Sequence, residues 1–411
     1  MPKLLLVSQV YIPDPASVGQ HIADVAEQMV SKGWEVSALT SNRGYDEPQL
    51  KFASREVLNG VKVSRLSFSS LGKKSIFHRL LGQAFFCVQS FLRAMTASRP
   101  DVILVTTSPP MGGMVGLLAG RLRGIPIVFW VMDLNPDQAI AQGIVSEKSV
   151  AARLFNLLNR SLLRQSAAVI ALDRFMAGRL QQKVCLDGKL HVMPPWPMES
   201  YLGRVEHEDN PFRKKHELEG KFVFMYSGNH SVVHPLETFL EVSRAVRDDA
   251  QFKFVFVGGG KGKAAVDEMI ERESPSNLIS LPYQPLEEIK YSLSAADVHL
   301  VSMGEVMVGC VHPCKFYGAM ALEKPVLFLG PEESHIGDIL KEYSMGWQIE
   351  HGEMERAEQI VRKCGEVDDS FFRKLGLEGR GLIDEQFSKE ILCGKFCNVL
   401  EAVANDSSEC E

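Results

Sequence analysis

Three potential ligands alternate in VGCVHPCKFYGAMALEKPVLFLGP, residues 308–331, where Cys310, His312 and Cys314 are followed at once by Lys315. Two thiols and an imidazole this close together are ligand types of tetrahedral zinc, and Cys393 with Cys397, one helical turn apart, can complete a set. Against that, Pro313 ahead of Phe316, Ala319 and Met320 marks the first turn of a helix packed on a sheet. The favoured reading is of small cysteines filling a tight loop, without metal. The same segment also suits a phosphate. A loop with Gly304 and Gly309 leads into a helix start that carries Pro313 and Lys315, where free N–H groups, the positive helix end and an ammonium group converge. An ordinary loop with a surface lysine explains the segment equally well.

Alternating elements must position these residues. KLLLVSQVY is a short apolar run of the kind buried on both faces of a parallel sheet. In the helix that follows, Ile22, Val25, Ala26 and Met29 share a face, Gly33 ends it, and EVSAL begins a second strand. PDVILVTTSPP, IPIVFWVMD and AAVIALD continue the series with helices between them, which predicts a doubly wound α/β domain. MPPWPMES, residues 193–200, breaks it. Alternation restarts at KFVFMYSG and runs through FKFVFVGGG, NLISLP, DVHLVSM and KPVLFLG, predicting a second doubly wound domain. Ligands of such sheets sit beyond the carboxyl ends of the strands, so two domains facing each other are expected to share an interdomain cleft.

Composition narrows the function. A chain of 411 residues, 45% hydrophobic and 23% charged, has enough apolar content for two cores. A net charge of -6 provides no global basic field for nucleic acid, so any anion site is local. Eight scattered cysteines, and a Met1-Pro2-Lys3 start running straight into a strand, are read as reduced thiols in a cytoplasmic protein. The most apolar stretch, Val102 to Ile127, is interrupted by prolines, glycines and two arginines, so no transmembrane helix is expected.

HPCKFYGAMALEKPVLFLGP resembles the Pro-Ser-Lys, Tyr, Met-Ala, Gly-Lys-Pro-Val block of the family 4 glycosyltransferases, in particular the branch that builds bacterial surface polysaccharides. YSGNHSVVHPLETFLEV is similar to that branch's Tyr-Ser-Gly-Asn strand end. PDVILVTTSPP, WVMDLNPD and VGQHIADVAEQMVSKGWEV resemble its N-terminal segments, and the matches keep family order from residue 4 to about 350. The resemblance implies a retaining transferase of the GT-B fold, with two Rossmann-like domains. Residues 1–195 would bind the acceptor and residues 196–385 the nucleotide sugar. Residues 386–411 would form a helix packing back on the first domain, with a flexible tail. No metal or other cofactor is expected, since helix ends and lysines can neutralise the departing diphosphate and the sequence shows no Asp-x-Asp metal motif in the segments expected to line the cleft.

The resemblance also implies roles. Gly19 is expected in the turn after the first strand, next to the diphosphate. Asp133 is placed to take a proton from, or orient, an acceptor hydroxyl, with His21, Asn135 and Asp137 as second choices, and a simple helix cap before NPDQ is the alternative reading of Asp133. Around Gly228 this chain has Asn229 or His230, and then His234, where the family at large has arginine and lysine. More of the phosphate contact then falls to Lys315 and to Lys261. The family's pair of glutamates is missing, its second position being Gly318. Glu305 is the nearest carboxylate, and Glu332, Glu333 or Ser334 can replace the ribose contact. Gly258 is expected to let the chain pass close to the nucleotide.

Residues 72–99 contain Lys73, Lys74, Arg79, Arg93 and Arg99 and no acid, with Phe77, Leu81, Phe85, Val88 and Leu92 on one helical stripe. The stripe is expected to be mainly core, with peripheral contact to an anionic membrane at the inner face of the cell as the alternative. The expected activity is transfer of a hexosyl or N-acetylhexosaminyl group from a nucleotide sugar to a lipid-linked glycan or another glycosylated acceptor. An epimerase of the same fold and a non-catalytic nucleotide-sugar binder are the rivals.

Overall fold

The computed structural model describes residues 1–44, 49–69, 76–198 and 202–408. By its contacts the chain forms two compact units. The first comprises Met1–Pro195 with the short segment Gly309–His312 and the C-terminal Lys389–Glu411; the second comprises Trp196–Val308 and Pro313–Ser388.

The first unit opens with β1 (Lys3–Val7), α1 (Ser17–Ser31), β2 (Glu35–Ser41), β3 (Arg55–Leu58), β4 (Val61–Leu66) and α2 (Ile76–Thr96). It continues through β5 (Val102–Thr106), α3 (Gly113–Arg123), β6 (Ile127–Trp130), α4 (Asp137–Ala141), α5 (Val150–Gln165), β7 (Ala168–Ala171), α6 (Arg174–Lys183) and β8 (Leu190–Val192). These strands form one sheet in the order β3-β4-β2-β1-β5-β6-β7-β8. All pairs are parallel except β3 with β4. That hairpin turns on Asn59-Gly60, both at positive φ, the dipeptide that suits the tight twist of a two-residue loop.

The second unit has α7 (Pro211–Lys215), β9 (Phe222–Ser227), α8 (Glu237–Ala245), β10 (Phe252–Val257), α9 (Lys263–Glu273), β11 (Leu278–Leu281) and α10 (Ile289–Ser294). β12 (Val298–Ser302), α11 (Lys315–Ala321), β13 (Val326–Leu329), α12 (His335–Glu342), β14 (Gly346–Ile349), α13 (Met354–Cys364) and α14 (Asp369–Leu382) follow. Its sheet is wholly parallel, in the order β11-β10-β9-β12-β13-β14. An aromatic core including Phe224, Phe239, Phe252, Phe254 and Phe256 fixes the helices on it. The chain leaves β9 towards β10 on one side and returns to β12 on the other. The carboxyl ends of β9 and β12 therefore flank the crossover reversal, where loops diverge and leave room for a ligand. Two mostly parallel sheets with alternating helices make this a GT-B architecture.

The last helix, α15 (Lys389–Ser408), is grouped with the first unit. Phe396 packs on Trp130 with ring centroids 4.4 Å apart, and Glu401 pairs with Lys32 of α1 at 2.7 Å. α2 departs from expectation. Its sheet-facing stripe is Gly82, Phe86, Ser90 and Ala94, all buried, while Leu81, Phe85, Val88 and Leu92 are exposed. Small residues let the helix settle close to its neighbours, so the bulky stripe is left outside. Lys73, Lys74 and the side chains of Phe77 and Arg79 lie outside the described residues.

Candidate functional site

Lys315 is the first residue of α11, and its Nζ lies 3.7 Å from the centroid of the Tyr226 ring at the end of β9. Nζ is buried and has no hydrogen-bond partner among the described residues. Burial lowers its pKa to about 7. A Cβ on Gly228 would stand 3.4 Å from Nζ, and Gly228 has φ 123, so glycine both permits the backbone and leaves the space open. At Gly258, φ 130, a Cβ would fall 2.1 Å from the Gly228 carbonyl oxygen. Only glycine lets the loops after β9 and β10 pass this closely.

Two imidazoles complete the wall. His230 stacks against Tyr226 with centroids 4.7 Å apart, fully buried, and among the described residues neither ring nitrogen makes a well-formed hydrogen bond. Burial, and then the Lys315 charge, lowers its pKa to about 4. His234 Nδ1–H donates to the Ser302 carbonyl at 2.6 Å, and burial takes its pKa to about 3. Both rings are neutral at physiological pH, so among these residues Lys315 alone supplies charge. A buried ammonium without a counter-charge costs free energy.

Beyond the glycines, Tyr283 follows β11 with its ring edge 3.0 Å from where a Gly259 Cβ would sit. Its hydroxyl faces the Gly259 carbonyl at 3.4 Å, and the residue is 54% exposed. It escapes sequence reasoning because a lone aromatic after proline has no periodicity. Lys263 Nζ is tied to the Leu281 carbonyl at 3.0 Å, and Lys261 is exposed in the turn before α9. Asn229 is exposed beside His230, and its carbonyl accepts the Tyr226 hydroxyl at 3.0 Å.

Several expected residues have other duties. Ser334 is fully buried and caps α12 by accepting the Gly337 N–H at 3.1 Å, so its hydroxyl is not offered to a ribose. Glu332 pairs with Lys341 at 3.2 Å; Glu333 and Glu305 are exposed, the latter on a single 3-10 turn. Pro313 is buried at the entrance to α11, and open space surrounds Gly318. Gly19 lies inside α1 rather than in the preceding turn, where a Cβ would come 3.1 Å from the Tyr11 backbone. It is a contact glycine of the first unit. His312 Nδ1 meets Asp173 Oδ2 at 2.9 Å, Asp173 also caps α6 through the Met176 N–H, and Cys310 gives its carbonyl to the Leu134 N–H at 2.8 Å. Among the described residues no three His, Cys, Asp or Glu side chains converge as a metal site.

In the first unit Asp133 follows β6, half-buried, and burial raises its pKa to about 6. The Thr107 hydroxyl accepts the N–H groups of both Met132 and Asp133 at 3.2 Å, fixing the loop. The N-cap of α4 is Pro136, so Asp133 does not cap that helix. Asp137 pairs with Lys183 at 2.8 Å, and the Asn135 carbonyl accepts from Asn159. His21 is only 1% exposed, with Nδ1 held by the Ser17 carbonyl at 2.8 Å and its ring edge-on to Trp130. It belongs to the packing of α1 and presents no open surface to an acceptor.

Residues 17–196 match the family model of the glycosyl transferase 4-like domain. The N-terminal part of the chain is thus similar to the family 4 glycosyltransferases. It is 28% identical over 347 residues to a probable glycosyltransferase, WbjE, of Pseudomonas aeruginosa, covering 83% of this chain and 84% of that one. It is 23% identical over 356 residues to WcaI, a putative colanic acid biosynthesis glycosyl transferase of Escherichia coli, covering 83% and 86%. Among solved structures, sucrose-phosphate synthase of Thermosynechococcus elongatus superposes with a TM-score of 0.77 at 15% identity, covering 98% of this chain and 99% of that one. Anabaena HepE, in complex with UDP and glucose, superposes at 0.70 with 16% identity, covering 98% and 100%. Outside the matched segment, Lys315, Gly228, His230, His234 and Gly258 come together at the strand ends of the second unit, joined by Tyr226 and Tyr283.

Proposed function

We propose that this chain is a family 4 glycosyltransferase, moving a hexosyl or N-acetylhexosaminyl group from a nucleoside diphosphate sugar to a hydroxyl of a glycosylated acceptor, such as a lipid-linked glycan, with retention at the anomeric carbon. The observation that carries the reading is the buried Nζ of Lys315, without a hydrogen-bond partner among the described residues, beside two glycine loops. In the transfer the bond from the anomeric carbon to the diphosphate oxygen breaks and its electron pair leaves with the diphosphate. The acceptor oxygen forms the new bond and releases its proton. Lys315 stabilises the negative charge growing on the leaving group, and the His230 and His234 rings, neutral, serve as hydrogen-bond partners. Asp133 receives or directs the hydroxyl proton. The test is acceptor-dependent release of nucleoside diphosphate from a panel of donors, starting with UDP sugars; turnover without acceptor would favour the epimerase, and binding with no turnover the non-catalytic binder.

No metal is required in this proposal, because the cation at the phosphates is a lysine. Transfer rates should stay within about twofold after treatment with a chelator and gel filtration, a change of under 1 kcal/mol in barrier. A loss that magnesium or zinc restores would mean that the diphosphate is neutralised by an ion instead.

Tyr283 is assigned the nucleobase. An exposed aromatic ring beside a phosphate loop offers a stacking face, worth roughly 1–3 kcal/mol for a base on a ring. Tyr283→Ala should weaken nucleoside and nucleoside diphosphate by the same factor, about 10-fold for roughly 1.4 kcal/mol, and Tyr283→Phe should restore both. An effect on the diphosphate alone would place the base elsewhere.

A further inference from the structure

Right-handed crossovers put α2, α3 and α5 on the same side of the first sheet, and α3 packs against both of the others. Each turns large apolar side chains outward. On α2 these include Phe85, Val88 and Leu92, from 44% to 58% exposed. On α3 they are Leu118 and Leu122, 48% and 65% exposed. On α5, Val150, Leu154 and Leu157 recur at spacings of four and three and are at least 55% exposed. Three neighbouring helices that each expose such a stripe concentrate apolar side chains on one side of the sheet, beyond the singly scattered ones of an ordinary surface.

The charges on this face are segregated. None of the three helices contains an aspartate or glutamate, although acids outnumber lysine and arginine 51 to 45 in the whole chain. Arg93, Arg121, Arg153, Arg160 and Arg164 are all exposed on them. Surfaces that meet only water mix both signs, whereas apolar side chains among arginines without acids match the interface of a bilayer bearing anionic headgroups. A second copy of the chain is a poor occupant, since a two-fold contact would set arginines against arginines. Among the described residues no helix is long and apolar enough to cross a membrane, so the contact is one of lying on the surface.

We infer that the α2–α3–α5 face docks on an anionic phospholipid surface, independently of whether the transfer reaction proposed above is correct. The test is co-sedimentation of the full chain with vesicles of phosphatidylcholine alone or with about a third phosphatidylglycerol, at low and high salt, where surface attraction is screened. The wild-type protein should bind the anionic vesicles at least about 10-fold better, and high salt should remove most of that preference. Combined Phe85→Ser, Leu122→Ser and Leu157→Ser should abolish binding to both vesicles, while Arg93→Glu, Arg121→Glu and Arg160→Glu should remove only the anionic preference. Unchanged thermal melting and unchanged nucleotide binding in the second unit certify that both variants fold. Absence of binding to anionic vesicles overturns the inference, as does binding that neither variant alters. A wild-type dimer that the serine variant converts to monomer would assign the face to a second copy, and overturns it equally.

Discussion

Lys315→Met should weaken binding of a nucleoside diphosphate about 100-fold and leave the nucleoside unaffected, a selective loss of roughly 2.7 kcal/mol. The magnitude follows from the site. Hydrogen bonds to a charged group contribute about 1.5–3 kcal/mol each, and a buried ammonium facing a diphosphate can make more than one. Met has nearly the length of Lys and keeps contact with the Tyr226 ring, so the variant removes charge and leaves the packing. Calorimetry on nucleoside, monophosphate and diphosphate would show a graded loss with the number of phosphates. Equal losses on all three would show that the lysine shapes the wall and does not meet the phosphates.

The same site predicts a pH dependence. In the free protein burial holds the lysine near 7, so above neutrality binding must bring a proton with the ligand. Affinity should therefore fall as pH rises from about 7, by up to about 10-fold per pH unit while a full proton is taken up, and Lys315→Met should flatten the curve. Titrations in buffers of different ionisation heat would detect the proton directly. For the ligand-free fold the sign is opposite. Between about 7 and the ordinary lysine value of 10.5 the unfolded chain binds more protons than the folded one, so this residue's burden lifts and stability rises with pH.

Much of the fold is legible in the chain because buried parallel strands are written as continuous apolar runs, and Lys3–Val7, Val102–Thr106 and Val298–Ser302 are each short enough to be strands. The β3–β4 hairpin carries a turn signal in Asn59-Gly60, but it went unread because the polar Arg55–Leu58 strand does not stand out by hydropathy. Periodicity found the stripe on α2 without telling which side faces the sheet. The helix buries its Gly82–Ala94 side, and an apolar count favours the wrong one. Gly19 was misplaced because Ala16, an N-cap whose side chain makes no capping bond, gives no signal for the start of α1. His312 and Asp173 are 139 positions apart, so their contact could not be read from spacing.

Asp133→Asn should reduce turnover by about 100-fold or more while donor affinity changes by less than twofold, in keeping with the typical contribution of a positioned acid or base. The substitution keeps the size of the side chain and removes the proton acceptor. Its loop stays anchored, because the Thr107 hydroxyl accepts backbone N–H groups and not the carboxylate. Since burial lifts the carboxyl to about 6, wild-type turnover should rise as pH passes through that value, and the residual activity of the variant should lack this step. Stability gives a second readout with the opposite sign. A carboxyl whose folded pKa is raised binds its proton more tightly in the folded state, so it costs stability progressively from about its ordinary value of 3.8 up to 6 and in full above that. Asp133→Asn should therefore melt higher than wild type at pH 7, with the gain vanishing near pH 4. A residue kept at the expense of the fold, whose removal stabilises the protein and stops the reaction, is the pattern of a functional group. An Asn variant that turns over normally would remove Asp133 from the mechanism, and one that melts lower would show that its carboxylate has a structural partner.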